Sequence, residues 1–292
     1  EVSPLTAALS TSGGKATFNG RASIAPEAAG KIDVEASNLS AFVAALGGSA
    51  ALPAELGQSV QLAGDATLTK GNKFSIRGAT ISAGGMQFTG NADVTLGGVP
   101  YVTAKLATGA LDLTRFSSGS SSGGGDARWS TAAIDAGGLA AFNGQIAVSA
   151  SSLKAVGLSF GKTSILMALD RSRAVFTLRE LQGYGGGFGG EFVMNNRNGL
   201  SVGGSLSARS VEVRGLLGDL AGVTRLSGPL TGDVSFLGVG NSMSKIMNSL
   251  KGQGSAKMGA VSSRKNNSSL RAKRGNPCIE SSWIAASLRS SQ

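Results

Sequence analysis

Residues 86–113, MQFTGNADVTLGGVPYVTAKLATGALDL, decide the fold. Apolar or small side chains alternate with polar ones on both sides of Gly97-Gly98, over 86–96 and again over 101–113. A period of two sends successive side chains to opposite faces of a strand, so one face is apolar and the other meets water. The glycine pair suits a tight hairpin, and strands joined by so short a turn are antiparallel.

The same alternation extends outward from this hairpin in both directions. Short turns at Lys70-Gly71-Asn72, Gly84-Gly85 and Asn198-Gly199 separate further alternating runs. The sequence therefore predicts an all-β, mainly antiparallel fold built of short repeated strands. The runs are 31–39, 60–69, 74–82, 129–181, 191–213 and a strand pair at 229–240.

Three short segments have helical rather than alternating spacing. Residues 38–48 carry Asn38 or Ser40 as a possible N-cap and Gly47 as a stop, and residues 213–222 form a second apolar segment. Residues 241–252 repeat Met and Ile at helical spacing, with an N-cap at Asn241 or Ser242 and a stop at Gly252. We expect these helices to pack against the strands, since they are too short to be stable alone.

Composition divides the chain into four regions. Residues 1–115 are a β-repeat region, residues 116–128 are a Ser/Gly linker, and residues 129–258 are a second β region. Residues 259–292 lose the alternation and hold six of the chain's basic residues against one acidic residue. We expect this last region to be a disordered basic tail foreign to the rest of the protein.

Side-chain chemistry argues against an enzyme. The chain has no histidine and a single cysteine, Cys278, so histidine-based acid–base catalysis, internal disulfides and the usual metal spacings are excluded. Carboxylates occur singly, and no pair of them stands out. We therefore predict no catalytic residues, no metal and no cofactor.

The net charge of +10 does not predict a nucleic-acid partner. About half of the excess lies in the basic tail, and the body of the chain lacks a basic stripe interleaved with aromatic residues. No window reaches the roughly 18 to 20 apolar residues that a membrane-spanning helix needs.

The glycine-rich stretch 183–192, GYGGGFGGEF, imitates a nucleotide-binding loop. Gly185, Gly187 and Gly190 have G-x-G-x-x-G spacing, but the preceding run alternates and a hairpin signal follows where a helix should begin. We predict instead a structural bend between two strands, made by five glycines, with Tyr184 and Phe188 packing across it. These glycines are Gly185, Gly186, Gly187, Gly189 and Gly190.

The second β region resembles the C-terminal region of the AsmA family, bacterial envelope proteins that include TamB-like members. The similarity covers residues 129–254, and three blocks carry it: LRELQGYGGGFGGEFVMNN at 178–196, LLGDLAG at 216–222 and SLKGQG at 249–254. The family's pattern breaks near Lys257-Met258. The resemblance thus implies a truncated copy of a longer protein, which the absence of an initial Met also suggests.

What the resemblance implies is an elongated antiparallel sheet curled into a groove with an apolar lining. The family suggests a non-enzymatic role in outer-membrane biogenesis, through phospholipid transfer or membrane-protein assembly. It implies a periplasmic location for a full-length protein anchored in the inner membrane. Phospholipid is then the expected partner, and outer-membrane assembly proteins are a further possibility.

Inward-facing apolar side chains are the candidates for lining such a groove. The residues alone leave open whether they line an accessible trough or fill a closed sandwich core, which is the usual fate of alternating strands. An adhesin-like β structure is the alternative function, because Gly-, Ser- and Thr-rich strands also occur in that class. The eight candidates are Leu106, Leu111, Ile146, Val148, Ile165, Met167, Leu169 and Phe176.

Overall fold

The fold is one large, open β-sheet. A computed structural model of the protein describes residues 2–25, 27–45, 59–114, 129–155, 157–259 and 262–263. Among these residues, fifteen strands belong to a single sheet and two short strands pair separately. The prediction of an all-β, mainly antiparallel fold is confirmed.

The strands are long enough to present five or six residues to each face. Most have ten to thirteen residues, and β9, β14 and β17 are short. In chain order they are β1 (Val2–Thr11), β2 (Gly14–Ser23), β3 (Glu27–Ala36), β4 (Val60–Thr69), β5 (Lys73–Ala83), β6 (Met86–Thr95), β7 (Tyr101–Asp112), β8 (Asn143–Ala155), β9 (Leu158–Phe160), β10 (Thr163–Asp170), β11 (Arg173–Gly183), β12 (Gly186–Asn195), β13 (Ser201–Glu212), β14 (Leu226–Ser227), β15 (Pro229–Val239), β16 (Lys251–Met258) and β17 (Ser262–Ser263).

The sheet follows the order of the chain almost strand by strand. Its order is β1-β2-β3-β4-β5-β6-β7-β8-β10-β11-β12-β13-β15-β16, with β9 beside β8 and with β14 and β17 forming the separate pair. Strands β1 and β16 are the two edges, so the sheet is not closed. Residues 229–240, predicted as two strands, form the single strand β15.

One neighbouring pair departs from the antiparallel pattern. Strands β7 and β8 run parallel, from the pair Tyr101–Asn143 to the pair Asp112–Lys154. A parallel pair needs a long connection, and the intervening segment contains the predicted 116–128 linker, which lies outside the described residues. The linker therefore separates the two β regions along the chain, while β7 and β8 join them in one sheet.

All three predicted helices are present. They are α1 (Leu39–Ala45), α2 (Val213–Ala221) and α3 (Met243–Ser249), and a 3-10 turn covers Gly137–Ala140. Helix α1 begins after Asn38, whose side chain accepts a hydrogen bond from Ala41 N at 3.0 Å. Its proposed stop at Gly47 and most of the basic tail, residues 264–292, lie outside the described residues.

The other two helix ends depend on local geometry. Helix α2 ends at Ala221, and Gly222 follows it with φ +67°, the left-handed conformation that suits glycine. The N-cap of helix α3 is Ser242, one of the two residues predicted for this position. The expected stop of α3 at Gly252 is wrong: the helix ends at Ser249, because β16 begins at Lys251 and pairs with β15.

Only one of the five predicted bend glycines lies in the turn itself. Tyr184 and Gly185 form the turn between β11 and β12, with φ values of +52° and +72°. Gly186, Gly187, Gly189 and Gly190 lie inside β12. The Tyr184 and Phe188 rings both meet Phe160 of β9 edge-on, at centroid distances of 6.0 and 5.4 Å.

Candidate functional site

The strand pairing gathers the apolar side chains on one face of the sheet, which we call the apolar face. Residues directly opposite each other on neighbouring strands share a face. One row across this face runs from β6 to β16 by direct pairing, and register shifts lie beside it at Ser164/Ile165 and Leu178/Leu181. The row is Gly90, Leu106, Val148, Ile165, Leu178, Gly190, Leu206, Val234 and Gly254.

A second row beside it is rich in aromatic residues. It contains Ile146, Met167 and Phe176 on β8, β10 and β11, and continues to Phe192 and Phe236. The Phe176 and Phe192 ring centroids are 6.0 Å apart, and those of Phe192 and Phe236 are 6.2 Å apart. These rings form a continuous apolar surface over four neighbouring strands.

The apolar face also extends through the first half of the sheet. Val34, Leu62, Ile81 and Phe88 follow one another across β3, β4, β5 and β6 by direct pairing. All four side chains are partly exposed. Phe88 and Gly90 are two residues apart on β6 and therefore share a face, and Gly90 pairs with Leu106 of β7, which pairs with Val148 of β8. The apolar face therefore continues across the β7–β8 pair on the same side of the sheet.

The structure brings the eight predicted lining residues together on this face. Leu111 and Leu169 are buried, with 8% and 4% of their surface exposed. The other six are partly exposed: Leu106, Ile146, Val148, Ile165, Met167 and Phe176. A filled sandwich core would bury all eight, so their exposure favours the accessible trough over the closed core.

Two clusters of buried residues lie at opposite ends of the strands. The first, which we call the β9 cluster, contains Leu111, Ala150, Leu153 and Leu181, with Phe160 of β9 packed against it. The second, the α3 cluster, joins Ala136, Leu200 and Ile246, with Ile134, Leu139, Met194 and Val202 around them. Because Phe188 and Met194, near the two ends of β12, belong to different clusters, the exposed middle of the apolar face lies between them.

A repeated glycine motif underlies this face, and sequence reasoning missed it. The motif begins with Phe or Leu, has Gly two residues later, and has apolar residues four and six positions after its start. It recurs along six strands. An added Cβ at five of these six glycines would overlap the backbone carbonyl of the neighbouring strand. These five glycines thus permit close strand approach. The six instances are 18–24, 62–68, 88–94, 142–148, 188–194 and 230–236.

An apolar cavity of about 520 Å³ opens at the β16 edge of the sheet. Val234 and Phe236 line it from β15, and Leu250 borders it. Gly252 and Gly254 of β16 lie directly opposite these two β15 side chains, where a larger residue would cover them. Val234 is consequently 45% exposed.

The opposite face of the sheet is mainly polar in the first half of the chain. Lys15 and Glu35 form an ion pair at 3.0 Å there, and Arg77 pairs with Asp93. Hydrogen bonds from Arg77 and then Ser75 hold the pKa of Asp93 below its usual value. Exposed ion pairs contribute little stability, so their main consequence is a wetted surface.

A polar network surrounds the turn that the glycine-rich stretch makes. The Tyr184 hydroxyl donates to Asp219 Oδ2 at 2.6 Å and accepts from Ser159 N at 3.1 Å. Burial, and then the hydrogen bond to Asp219, raise the pKa of Tyr184. This network fixes the turn against α2 and β9, and the adjoining open cavity of about 670 Å³ is lined by Glu212, Arg214 and Asp219 among others.

The described residues hold neither a cluster of metal ligands nor a helix that could span a membrane. Within the described ranges, no three His, Cys, Asp or Glu side chains are grouped as a metal ion would require. In the same part of the chain, no helix has both the length and the apolar character needed to cross a bilayer.

Comparison of the chain with protein-family models, curated proteins and solved structures found no match.

Proposed function

We propose that this chain is a non-enzymatic, AsmA-like envelope protein that shelters the acyl chains of phospholipids on its apolar face. The observation that carries the proposal is the continuous, partly exposed apolar surface that runs across β3 to β16. In water such a surface is unfavourable, and contiguous exposed apolar patches mark interaction sites. A lipid acyl chain removes this surface from water without requiring any specific polar contact.

The shape and chemistry of the face suit a chain of methylene groups. Each buried methylene contributes about 0.8 kcal/mol, so even a partly sheltered acyl chain is held by several kcal/mol. Leu, Ile, Val, Met and Phe side chains supply the contact surface, and the cavity beside β16 provides an apolar opening at the sheet edge. The polar headgroup can stay in water beyond the strand ends.

The proposal includes the cellular role that the resemblance suggests. An apolar trough in the periplasm, on a protein anchored at the inner membrane as the resemblance implies, would carry phospholipid toward the outer membrane or support the assembly of proteins there. The alternative, an adhesin-like structure of stacked coils, fits less well, because the described strands are mostly antiparallel neighbours in one open sheet.

Site-specific photo-crosslinking tests the proposal. We would place p-benzoylphenylalanine at Leu106 or Met167 on the apolar face, and at Lys105 as the matched control. Lys105 is adjacent to Leu106 but points to the opposite face. In periplasmically expressed protein we expect phospholipid adducts at Leu106 and Met167, detected by mass spectrometry, and none at Lys105.

Either of two results would overturn the proposal. One is the absence of lipid adducts at both apolar positions in protein whose circular dichroism matches the unmodified chain. The other is equal labelling at Lys105 and Leu106, which would indicate nonspecific contact with lipid.

A further inference from the structure

The loop between β6 and β7 exposes apolar side chains where hairpins usually carry polar or small residues. Leu96, Val99 and Tyr101 are 48%, 54% and 50% exposed. Leu96 and Val99 flank Gly97-Gly98 just beyond the end of β6, and Tyr101 is the first residue of β7. The Gly84-Gly85 turn, at the other end of β6, shows the ordinary composition of a turn.

Basic turns flank this loop on both sides. Leu96 N donates to Asn72 O at 2.9 Å, which places the loop beside the β4–β5 turn with Lys70 and Lys73. On the other side, Asn143 N donates to Pro100 O at 2.8 Å. Asn143 Oδ1 in turn accepts from Arg171 N at 2.8 Å, which links the loop to the β10–β11 turn.

Positive charge predominates at this end of the sheet. Asp170 pairs with Arg197 at 2.7 Å and with Arg171 at 3.4 Å. Glu27 lies 3.7 Å from Lys70. Five basic residues at this end are exposed: Lys70, Lys73, Arg171, Arg173 and Arg197. Lys73 also lies near Asp93, which pairs with Arg77.

We propose that the β6–β7 loop and its two flanking turns dock on the surface of an anionic phospholipid bilayer. An apolar tip between basic residues has the two elements that interfacial binding requires, since the tip enters the headgroup region while the cations meet anionic lipid. The charge complementarity selects this surface over a neutral one. The docking does not rest on the proposed function, because the loop and its basic turns lie at the strand ends and none of their residues is in the paired rows of the apolar face.

The test places an environment-sensitive fluorophore on the loop of the full chain. In a Cys278→Ser background, Val99→Cys labelled with a nitrobenzoxadiazole dye reports insertion directly, whatever the basic tail contributes to binding. The matched control is Val223→Cys, a valine of similar exposure (41%) that follows α2. The probes are vesicles of phosphatidylcholine with and without about one-quarter phosphatidylglycerol.

We expect a blue shift and a rise in emission at residue 99, at least about tenfold more binding to the anionic vesicles, and no change at residue 223. Arg171→Glu with Arg173→Glu lowers binding to anionic vesicles, whereas Arg225→Glu, at the other end of the sheet, does not. Leu96→Asp also lowers it, because the apolar tip no longer inserts.

Three outcomes would overturn the proposal. They are an unchanged spectrum at residue 99, equal binding to neutral and anionic vesicles, or binding to soluble poly-glutamate without binding to vesicles. The last result would show that the basic turns recognise an acidic polypeptide instead. Failure here is distinguishable from failure of lipid sheltering, which is measured at Leu106 on a different surface.

Discussion

Gly204 lies on β13 between Phe192 of β12 and Phe236 of β15, in the aromatic row of the apolar face. The two rings approach to 6.2 Å across its strand because glycine has no side chain to separate them. An added Cβ would overlap the carbonyl oxygen of Glu191. The absence of a side chain here thus helps to build the apolar surface.

We therefore expect Gly204→Ala to destabilise the protein. Overpacking of this kind costs about 1–3 kcal/mol, which denaturant unfolding would measure. Gly187→Ala in the neighbouring strand is the control, because a Cβ there meets no atom within 4 Å. Equal losses of unfolding free energy for the two variants would contradict the packing role assigned to Gly204.

The hydroxyl of Tyr184 leads to a prediction about pH. Its pKa is raised in the folded protein, mainly by burial and then by Asp219, so the folded state favours the neutral phenol. This contribution is fully present below the unfolded-state pKa of about 10 and is lost as pH rises through the higher folded-state pKa. We expect Tyr184→Phe to cost roughly 1 kcal/mol at neutral pH, and less above pH 10.

Unfolding experiments on the wild type and Tyr184→Phe across this pH range test the effect. Tyr101→Phe, at the half-exposed second tyrosine, serves as the control. A difference between wild type and Tyr184→Phe that stays constant or widens above pH 10 would show that the hydrogen bond to Asp219 does not stabilise the turn.

At the scale of the element, α3 depends on its packing rather than on its length. Seven residues are too few for an independently stable helix. Ile246 is 5% exposed within the α3 cluster, whereas Met243, on the same helix, is 42% exposed. The helix therefore depends on Ile246 to attach it to the sheet.

We expect Ile246→Ala to lower the unfolding free energy by about 2–5 kcal/mol, and Met243→Ala by less than about 1 kcal/mol. Thermal or denaturant unfolding of both variants tests this. Similar effects for the two would mean that the α3 cluster is not a stabilising contact.

At the scale of the whole molecule, the parallel pair β7–β8 joins two regions that composition separates. Eleven residue pairs between β7 and β8 join the backbones of the two regions in one ladder. Cleavage at a protease site placed in the 116–128 linker should therefore leave the two fragments associated. Size-exclusion chromatography of the nicked chain checks this, and separate elution of the two fragments would contradict the single sheet.

Much of the fold could be predicted from local sequence. Alternation identified the strands, Asn198-Gly199 marked a hairpin, and Asn38 and Ser242 were recognised as helix caps because capping is a local interaction. The lining candidates were identified for the same reason, since a period of two specifies which residues share a face. The predicted end of α3 was wrong, because β16 pairs with β15 from Lys251 onward, and this pairing depends on a strand that the local sequence does not reveal.

The sequence by itself determined the strands, most turns, the helix starts and the composition of the apolar face, since each follows from backbone preference and side-chain periodicity over a few residues. Only the tertiary structure decided that β7 and β8 are parallel neighbours, that the face is continuous and partly exposed, and that basic turns lie beside the β6–β7 loop. These features depend on which distant strands pair and in what register, and the free energy of that choice is shared among residues far apart in the chain.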